Sequence, residues 1–536
     1  MKTHKRALAI LIGTTAMALS VPAVAQKADA PELGAVKMIE SKEVKRDVLK
    51  SLLDVAKPPS GERRIREREL PRPIPYTGVP KDGAVDPVVQ LDVATGKGTQ
   101  PLAPAVTTIR NFDGIGQGFN TFTVASAPPD THGAVGSTQY VQVVNAAMAV
   151  FDKATGNRLL GATAINSLFA GFGGKCQTAN DGDPLVNWDA RAQRWVISQF
   201  AVTPTASPFF QCVAVSQTAD ATGAYNRYAF SYTNFPDYPK AAVWDNAYVF
   251  TFNMFNPSLT AFVGSMVCGY NRTNMLAGLA ATQQCFTTPN TVASLLPSDP
   301  DGNSPVVAGT PNYLTTLRPT SLGLYKFKAD FVTPANASFT GPTTIPVAAY
   351  SELCSANGTC VRQPSTSTRL DSLADRLMSH LSFRRYPDGR ESLVVTHSAS
   401  TGLRWYEIRT PATATSVFQQ GTYAPNTSTR WMGSISQDKN GNFGIGYSVS
   451  STNIRPSLRY AVRGPADVAG TLGAENDIIA GTGSQNGGLT RWGDYAAMTV
   501  DPVDDCTFWF TSEYMKTTGS FNWNTRIASF KVAGCN

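Results

Sequence analysis

What this 536-residue chain has little of narrows its chemistry first. Only 16% of its residues are charged and only four are histidine, one of them (His4) at the extreme N-terminus. None of its eight cysteines forms a C-x-x-C pair and no histidine neighbours one, which speaks against zinc. The patterns Gly-x-Ser-x-Gly, Gly-x-x-x-x-Gly-Lys-Ser/Thr and His-Glu-x-x-His are all missing. Their absence disfavours α/β-hydrolase, phosphoryl-transfer and zinc-protease chemistry. Beyond Ala25 no apolar run is long enough to span a bilayer, so no transmembrane segment is expected. The net charge of +7 comes largely from residues 1–75 and not from a basic stripe in the body. Nucleic acid is therefore a poor partner, since it calls for Lys and Arg clustered on one face.

What is present begins with an export signal. Met1–Arg6 is basic, Ala7–Leu19 is apolar, and Ala23-Val24-Ala25 fits a cleavage site before Gln26. The mature chain is expected to be secreted or periplasmic and to act as a monomer. Residues 26–105 read as a charged, proline-rich leader: an amphipathic helix over Glu40–Lys57 (Val44, Val48, Leu49, Leu52, Leu53), the charged run Glu62–Glu69, then Pro71–Pro80. By composition this is a linker; the alternative is a pro-segment or docking arm. Eight cysteines suit an oxidising compartment. Their spacing suggests the local pairs Cys176–Cys212, Cys268–Cys285, Cys354–Cys360 and Cys506–Cys535, although eight cysteines allow roughly a hundred pairings.

From residue 106 to the C-terminus one sentence repeats: a polar doorstep, a short apolar strand, a turn, and an aromatic-rich strand. Thr490-Arg491-Trp492-Gly493-Asp494-Tyr495 leads into Ala497–Val500, Asp501-Pro502 and Thr507–Thr511; Thr429-Arg430-Trp431 and Gly182-Asp183-Pro184 open similar passages. Asp130, Asp183, Asp237, Asp301, Arg376, Arg430 and Arg491 mark the doorsteps, at intervals of roughly 50 to 75 residues. Seven units of four short strands describe an all-β chain folded as a seven-bladed β-propeller, with six or eight blades as alternatives. Residues 107–124 precede the first doorstep and are free to close the ring by adding a strand to the last blade.

Equivalent doorsteps of a propeller converge on one axial funnel, where sites form. Asp130, Asp183, Asp237 and Asp301 would make one side acidic; Arg376, Arg430 and Arg491 would make the other basic. Three guanidiniums suit a carboxylate on a ligand. Asp183, Asp237 and Asp494 are the candidate acid–base groups for a glycosidic oxygen. Asp130, His132, His380, Tyr238, Trp431 and Trp492 are candidate ligand contacts, the tryptophans by stacking on a sugar ring. A His with Tyr238 or Tyr495 would equally suit proton abstraction by a polysaccharide lyase. Against each single doorstep stands a plainer role: Asp caps backbone amides and Arg–Trp pairs stack between blades. No cofactor is expected beyond a structural Ca2+ on Asp299, Asp301 and Asn303, and that loop lacks a bidentate Glu, having Thr310 instead.

Pro128–Gly136, Asn180–Pro184, Phe235–Lys240 and Arg491–Tyr495 resemble a group of secreted bacterial propeller proteins, a likeness that implies fold and no activity. More loosely, Ser436-Gln437-Asp438-Lys439-Asn440-Gly441 is similar to the Asp box of sialidase-like propellers, with its Gly one place late and the closing Trp absent. That resemblance implies an arginine triad, for which Arg376, Arg430 and Arg491 stand, together with an Asp acid and a Tyr–Glu nucleophile pair to which no residues are assigned. Two functions follow: an extracellular enzyme, hydrolase or lyase, acting on an anionic glycan, or a non-catalytic propeller binding a glycan or another cell-envelope component.

Overall fold

Both faces of each sheet in a ring of sheets press on a neighbour, so the strands read as continuous apolar runs instead of alternating ones. All nine residues of Ala247–Phe255 and all eight of Phe443–Ser450 and Thr507–Tyr514 are buried. The computed structural model describes residues 33, 36–59, 85–91, 104–203, 205–355, 358–410 and 415–536. The expected signal peptide and the charged and proline-rich stretches of the expected leader lie outside them. Strand makes up 49% of the structure and helix 5%, an all-β fold.

Strand pairing gives seven successive antiparallel meanders of four strands among the described residues, over 132–164, 185–232, 235–287, 296–346, 381–424, 429–479 and 497–532. The last supplies only three strands of its own. Its fourth is Val106–Asp113, which pairs antiparallel with Asn524–Val532 and ties the two ends of the body together. The first strands of successive meanders lie side by side, and that of the last returns to His132–Val135 of the first, so the arrangement is a closed propeller. Close approach of neighbouring sheets explains the glycines of Phe443–Ser450: a Cβ on Gly446 would stand 2.5 Å from the Phe510 ring of the next sheet.

All four disulfides join the pairs suggested by spacing. Cys268–Cys285 bridges directly opposed residues of one strand pair, and Cys506–Cys535 pins the C-terminus to the last sheet. The Asp-box-like Asp438 is a turn residue: its carboxylate accepts from the Asn440 and Asn442 amides, both at 2.9 Å.

The expected helix over Glu40–Lys57 does not form. Ile39–Lys42 pairs with Thr282–Thr287 and Lys45–Leu49 with Tyr225–Tyr232, each as a fifth, outer strand. Val89–Leu91 adds parallel to Ser416–Ala424. Unpaired outer edges of three blades offer the segment more hydrogen bonds than an isolated helix of marginal propensity could. A bidentate pair from Arg227 to Asp47 (2.6 and 2.7 Å) fixes the second strand. Of the apolar residues that suggested a helix, Leu49 and Leu52 are buried while Val44, Val48 and Leu53 are exposed.

Candidate functional site

Each meander has one non-glycine residue with positive φ before or within its first strand: Asp130 (50°), Asp183 (45°), Tyr238 (51°), Ser294 (53°), Leu373 (42°), Met432 (53°) and Asp494 (58°). The left-handed region is open to Asp but costs a bulky residue of order 1–3 kcal/mol, so the same kink at Tyr238, Leu373 and Met432 is imposed by the ring of sheets. This backbone register corrects the doorstep at the fourth unit. Its entrance is Ser294, and Asp301 follows the first strand, Leu296–Pro300, at that strand's far end.

Asp130, Asp183, Asp237, Tyr238, Leu373, Arg376, Arg491 and Asp494 meet around a cavity of about 520 Å³. One further wall carries Asn145, Asn166, Gln177 and Asn180, and Val55, Lys57, Pro58 and Pro59 of the N-terminal segment. That segment is held there by backbone bonds, the Ala164 amide donating to the Lys57 carbonyl at 2.8 Å. Arg227 joins it to the wall, donating to Asp47 and to the carbonyls of Leu168 (3.1 Å) and Ala170 (2.8 Å). Asn145 ties the first entrance to the second: its Oδ1 accepts from the Asp183 amide and its Nδ2 donates to the Pro128 carbonyl, both at 3.0 Å.

The floor is a lattice of charges and rings. Arg376 donates to both oxygens of Asp375 (2.7 and 2.9 Å) and lies over the Tyr238 ring. Arg491 pairs with Asp494 and stands 3.9 Å from Asp371. Burial works against both guanidiniums, yet their carboxylate partners raise their pKa values. Tyr495 donates its hydroxyl to Asp183 (3.1 Å) and to the Pro239 carbonyl (3.2 Å). Lys240 places its ammonium 3.3 Å from the Tyr238 ring centre and 3.4 Å from that of Tyr495. Asp130 is 3% exposed, and its Oδ1 has no hydrogen-bond partner among the described residues. Burial, then the carboxylates of Asp183 and Asp494, push its pKa well up, against the pull of Arg491. Glu513 is fully buried behind Asp494; burial raises its pKa strongly while the Gly493 amide, donating at 2.8 Å, opposes the rise.

A second, narrower cavity of about 40 Å³ holds His132, His380, Asp299 and Asp301, with Lys240 on its lining. Burial, aided by His380 and Lys240, lowers the pKa of His132 to about 3, so it is neutral. His380 bonds Asp301 at 3.1 Å, and Asp301 also accepts from the Ser382 hydroxyl and the Gln437 amide. Asp299 accepts from the Val243 amide at 2.7 Å, while the Asn303 backbone donates to Asp505 at 3.1 Å. No group of three or more His, Cys, Asp or Glu able to hold a metal ion occurs among the described residues.

Five expected site residues are placed away from the larger cavity. Arg430 is fully buried and makes a bidentate pair with Glu475 (2.7 and 2.8 Å) inside its own sheet, so no triad with Arg376 and Arg491 forms. Glu475 sits on the fourth strand's approach in that meander and offers the guanidinium a nearer partner than the axis does. Trp431 and Trp492 are 0% exposed, their rings 5.7 Å apart, with Trp492 Nε1 donating to Ser448. The large apolar area of Trp is drawn between sheets, which leaves nothing to stack on a sugar. His132 and His380 do not reach the larger cavity. Conversely, Lys240 and Glu513 were missed as site groups. Glu513 had a signal, being the one acid in the aromatic strand Thr507–Tyr514.

No family model matches the chain, and no curated protein matches it. Solved structures with a loosely similar course include a protein of unknown function from Dyadobacter fermentans (TM-score 0.37, 8% identity, 80% of this chain and 100% of that one). The phage phi92 endosialidase (0.34, 9%, 81% and 70%) and an ulvan lyase (0.32, 12%, 79% and 97%) are others. At these scores and identities they carry no argument about activity.

Proposed function

We propose that the larger cavity is the site of an extracellular glycan-active enzyme of the glycoside hydrolase type, with Asp130 as general acid and Asp183 or Asp494 as its carboxylate counterpart. One observation carries the reading: a buried aspartic acid facing a cavity of about 520 Å³, its pKa pushed well up by burial and by two neighbouring carboxylates. Titratable groups whose surroundings push their pKa values apart supply the acid and the base of such a reaction. The volume suits a small oligosaccharide segment, and the Asn and Gln wall offers neutral donors and acceptors for hydroxyls. The four disulfides fit an oxidising, extracellular setting.

The charge balance favours an uncharged or cationic sugar over the anionic one expected from the arginine count. Five aspartates line the cavity against Lys57, Arg376 and Arg491, and both arginines are already bound to carboxylates. The lyase reading is the less supported, because His132 and His380 stand in the narrow cavity and burial raises the pKa of the Tyr238 and Tyr495 hydroxyls. The test is a screen of neutral, amino and uronic polysaccharides for new reducing ends and for unsaturated uronates. Turnover abolished by Asp130→Asn in a folded protein is the expected result. Binding without turnover by the wild type would reassign the funnel to recognition alone, and release of unsaturated uronates would restore the lyase.

A further inference from the structure

One residue on the cavity wall grips the entrances of the first two units at once. Asn145 stands half-buried in the turn that joins Gln139–Val144 to Ala147–Asp152. Its Nδ2 donates to the Pro128 carbonyl at 3.0 Å and its backbone N–H to the Pro129 carbonyl at 2.7 Å, the two residues that lead into Asp130. Its Oδ1 accepts from the backbone N–H of Asp183 itself at 3.0 Å. A carboxamide carries a donor and an acceptor on one rigid plane, so a single side chain ties a C=O of one segment to an N–H of another. Gly182 makes room for this approach, since a Cβ there would stand 2.2 Å from Asn145 Oδ1. Two further bonds complete the frame: the Asp130 N–H donates to the Gly493 carbonyl at 3.1 Å, and Asn180 Nδ2 donates to the Ala146 carbonyl at 2.8 Å. Asn145 is also the side chain whose hydrogen bonding opposes the rise in the Asp130 pKa.

We propose that Asn145 is a positioning residue that fixes the separation of Asp130 and Asp183, and that Asp183, not Asp494, is the carboxylate counterpart of the general acid. Both aspartates sit at left-handed backbone positions, so a bond to the backbone at each entrance sets where the carboxyl points. The distance between two such groups decides whether a water fits between them, and a misplacement of about 1 Å is enough to cost most of the rate. Asp494 belongs to a different frame, its carboxylate paired with Arg491 within its own entrance. The inference rests on the acid–base reading proposed above, and its test separates the two.

The experiment reads the coupling of the two carboxyls by carbon-13 titration of the full chain, with Asp130 assigned by its loss in Asp130→Asn. Asp183→Asn is expected to lower the Asp130 midpoint, because a neighbouring negative charge is removed. In the Asn145→Ala background the same substitution should move the midpoint by about half as much or less, since the interaction weakens as the carboxyls part. Asn145→Ser, whose short hydroxyl cannot span both partners, serves if the alanine variant does not fold. An undiminished shift in a folded variant overturns the positioning role, and so does the absence of any shift with Asn145 in place. On a glycan found in the screen, Asn145→Ala should lower kcat by about 100-fold with KM little changed. Turnover kept by Asp183→Asn and lost in Asp494→Asn would overturn the choice of Asp183. A diminished shift in a chain that turns over no glycan would refute the enzyme, with the part of Asp183 in it, and leave the positioning by Asn145 standing.

Discussion

The hydroxyl of Tyr495 donates to the Asp183 carboxylate at 3.1 Å, joining the last unit of the ring to the second across the funnel floor. Both residues follow or occupy a left-handed entrance, so the bond fixes two entrances to each other. Tyr495→Phe deletes that donor while keeping the ring over Lys240. It is expected to destabilise the protein by about 0.5–1.5 kcal/mol, the net range for one hydrogen bond, here to a half-buried carboxylate. Denaturant unfolding measures it, and an unchanged midpoint would show that the Pro239 and Asp183 contacts are incidental.

Arg430 is expected to behave as architecture. Arg430 itself is buried, its bidentate partner Glu475 is half-buried, and Glu475 also accepts from Tyr447 at 2.8 Å. Arg430→Ala leaves Glu475 to Tyr447 and to Arg459 (3.1 Å) and should lower stability by about 1–3 kcal/mol. The pH profile of any glycan turnover should stay where it was. A shifted profile with unaltered stability would return Arg430 to the funnel.

Asp299 gives the stability curve a defined slope. Burial raises its pKa to about 6, with His380 opposing, from an unfolded value near 4. The folded state thus binds the proton more tightly than the unfolded state does. Its contribution is full below about pH 4 and is lost as pH climbs through about 6. Asp299→Asn should flatten the fall in melting temperature across that window relative to wild type. An equally steep fall in the variant would remove Asp299 as the cause.

The N-terminal strands are expected to be integral and not a removable leader. Asp47→Ala breaks the Arg227 pair that ties Lys45–Leu49 to the wall of the cavity. Limited proteolysis should then cut before residue 60 far faster than in wild type, and affinity for the glycan found in the screen should fall. Cleavage of the wild type at the same rate, with ligand binding intact, would restore the linker reading.

Cys506–Cys535, which spans 29 residues, pins the C-terminal strand that receives Val106–Asp113 and so supports closure of the ring. Replacing the pair by serine should cost about 2–5 kcal/mol, through greater freedom of the unfolded chain. Calorimetry of the double variant checks it. A loss well under 1 kcal/mol would assign closure to the pairing of Val106–Asp113 with Asn524–Val532 alone.

Much of the fold was legible because its causes are local and repeated. Aromatic and β-branched runs, turn residues and the recurring entrances imply short antiparallel strands wherever they occur, and near neighbours in sequence became disulfide partners. Aspartate at an entrance was informative for the same local reason: it tolerates the left-handed backbone that Asp130, Asp183 and Asp494 adopt. The sequence by itself therefore determined an all-β repeat, its ends joined, with charged entrances. What only tertiary structure decided is which side each entrance residue faces and what it meets there. One residue of register at a kink separates Trp431, buried between sheets, from a wall of the funnel. Glu475, distant in sequence, claimed Arg430, and free blade edges turned the Glu40–Lys57 segment from helix to strand. Lys240 is the plainest case: nothing local distinguishes a lysine after Pro239, and only the meeting of two units places it between two rings on the axis.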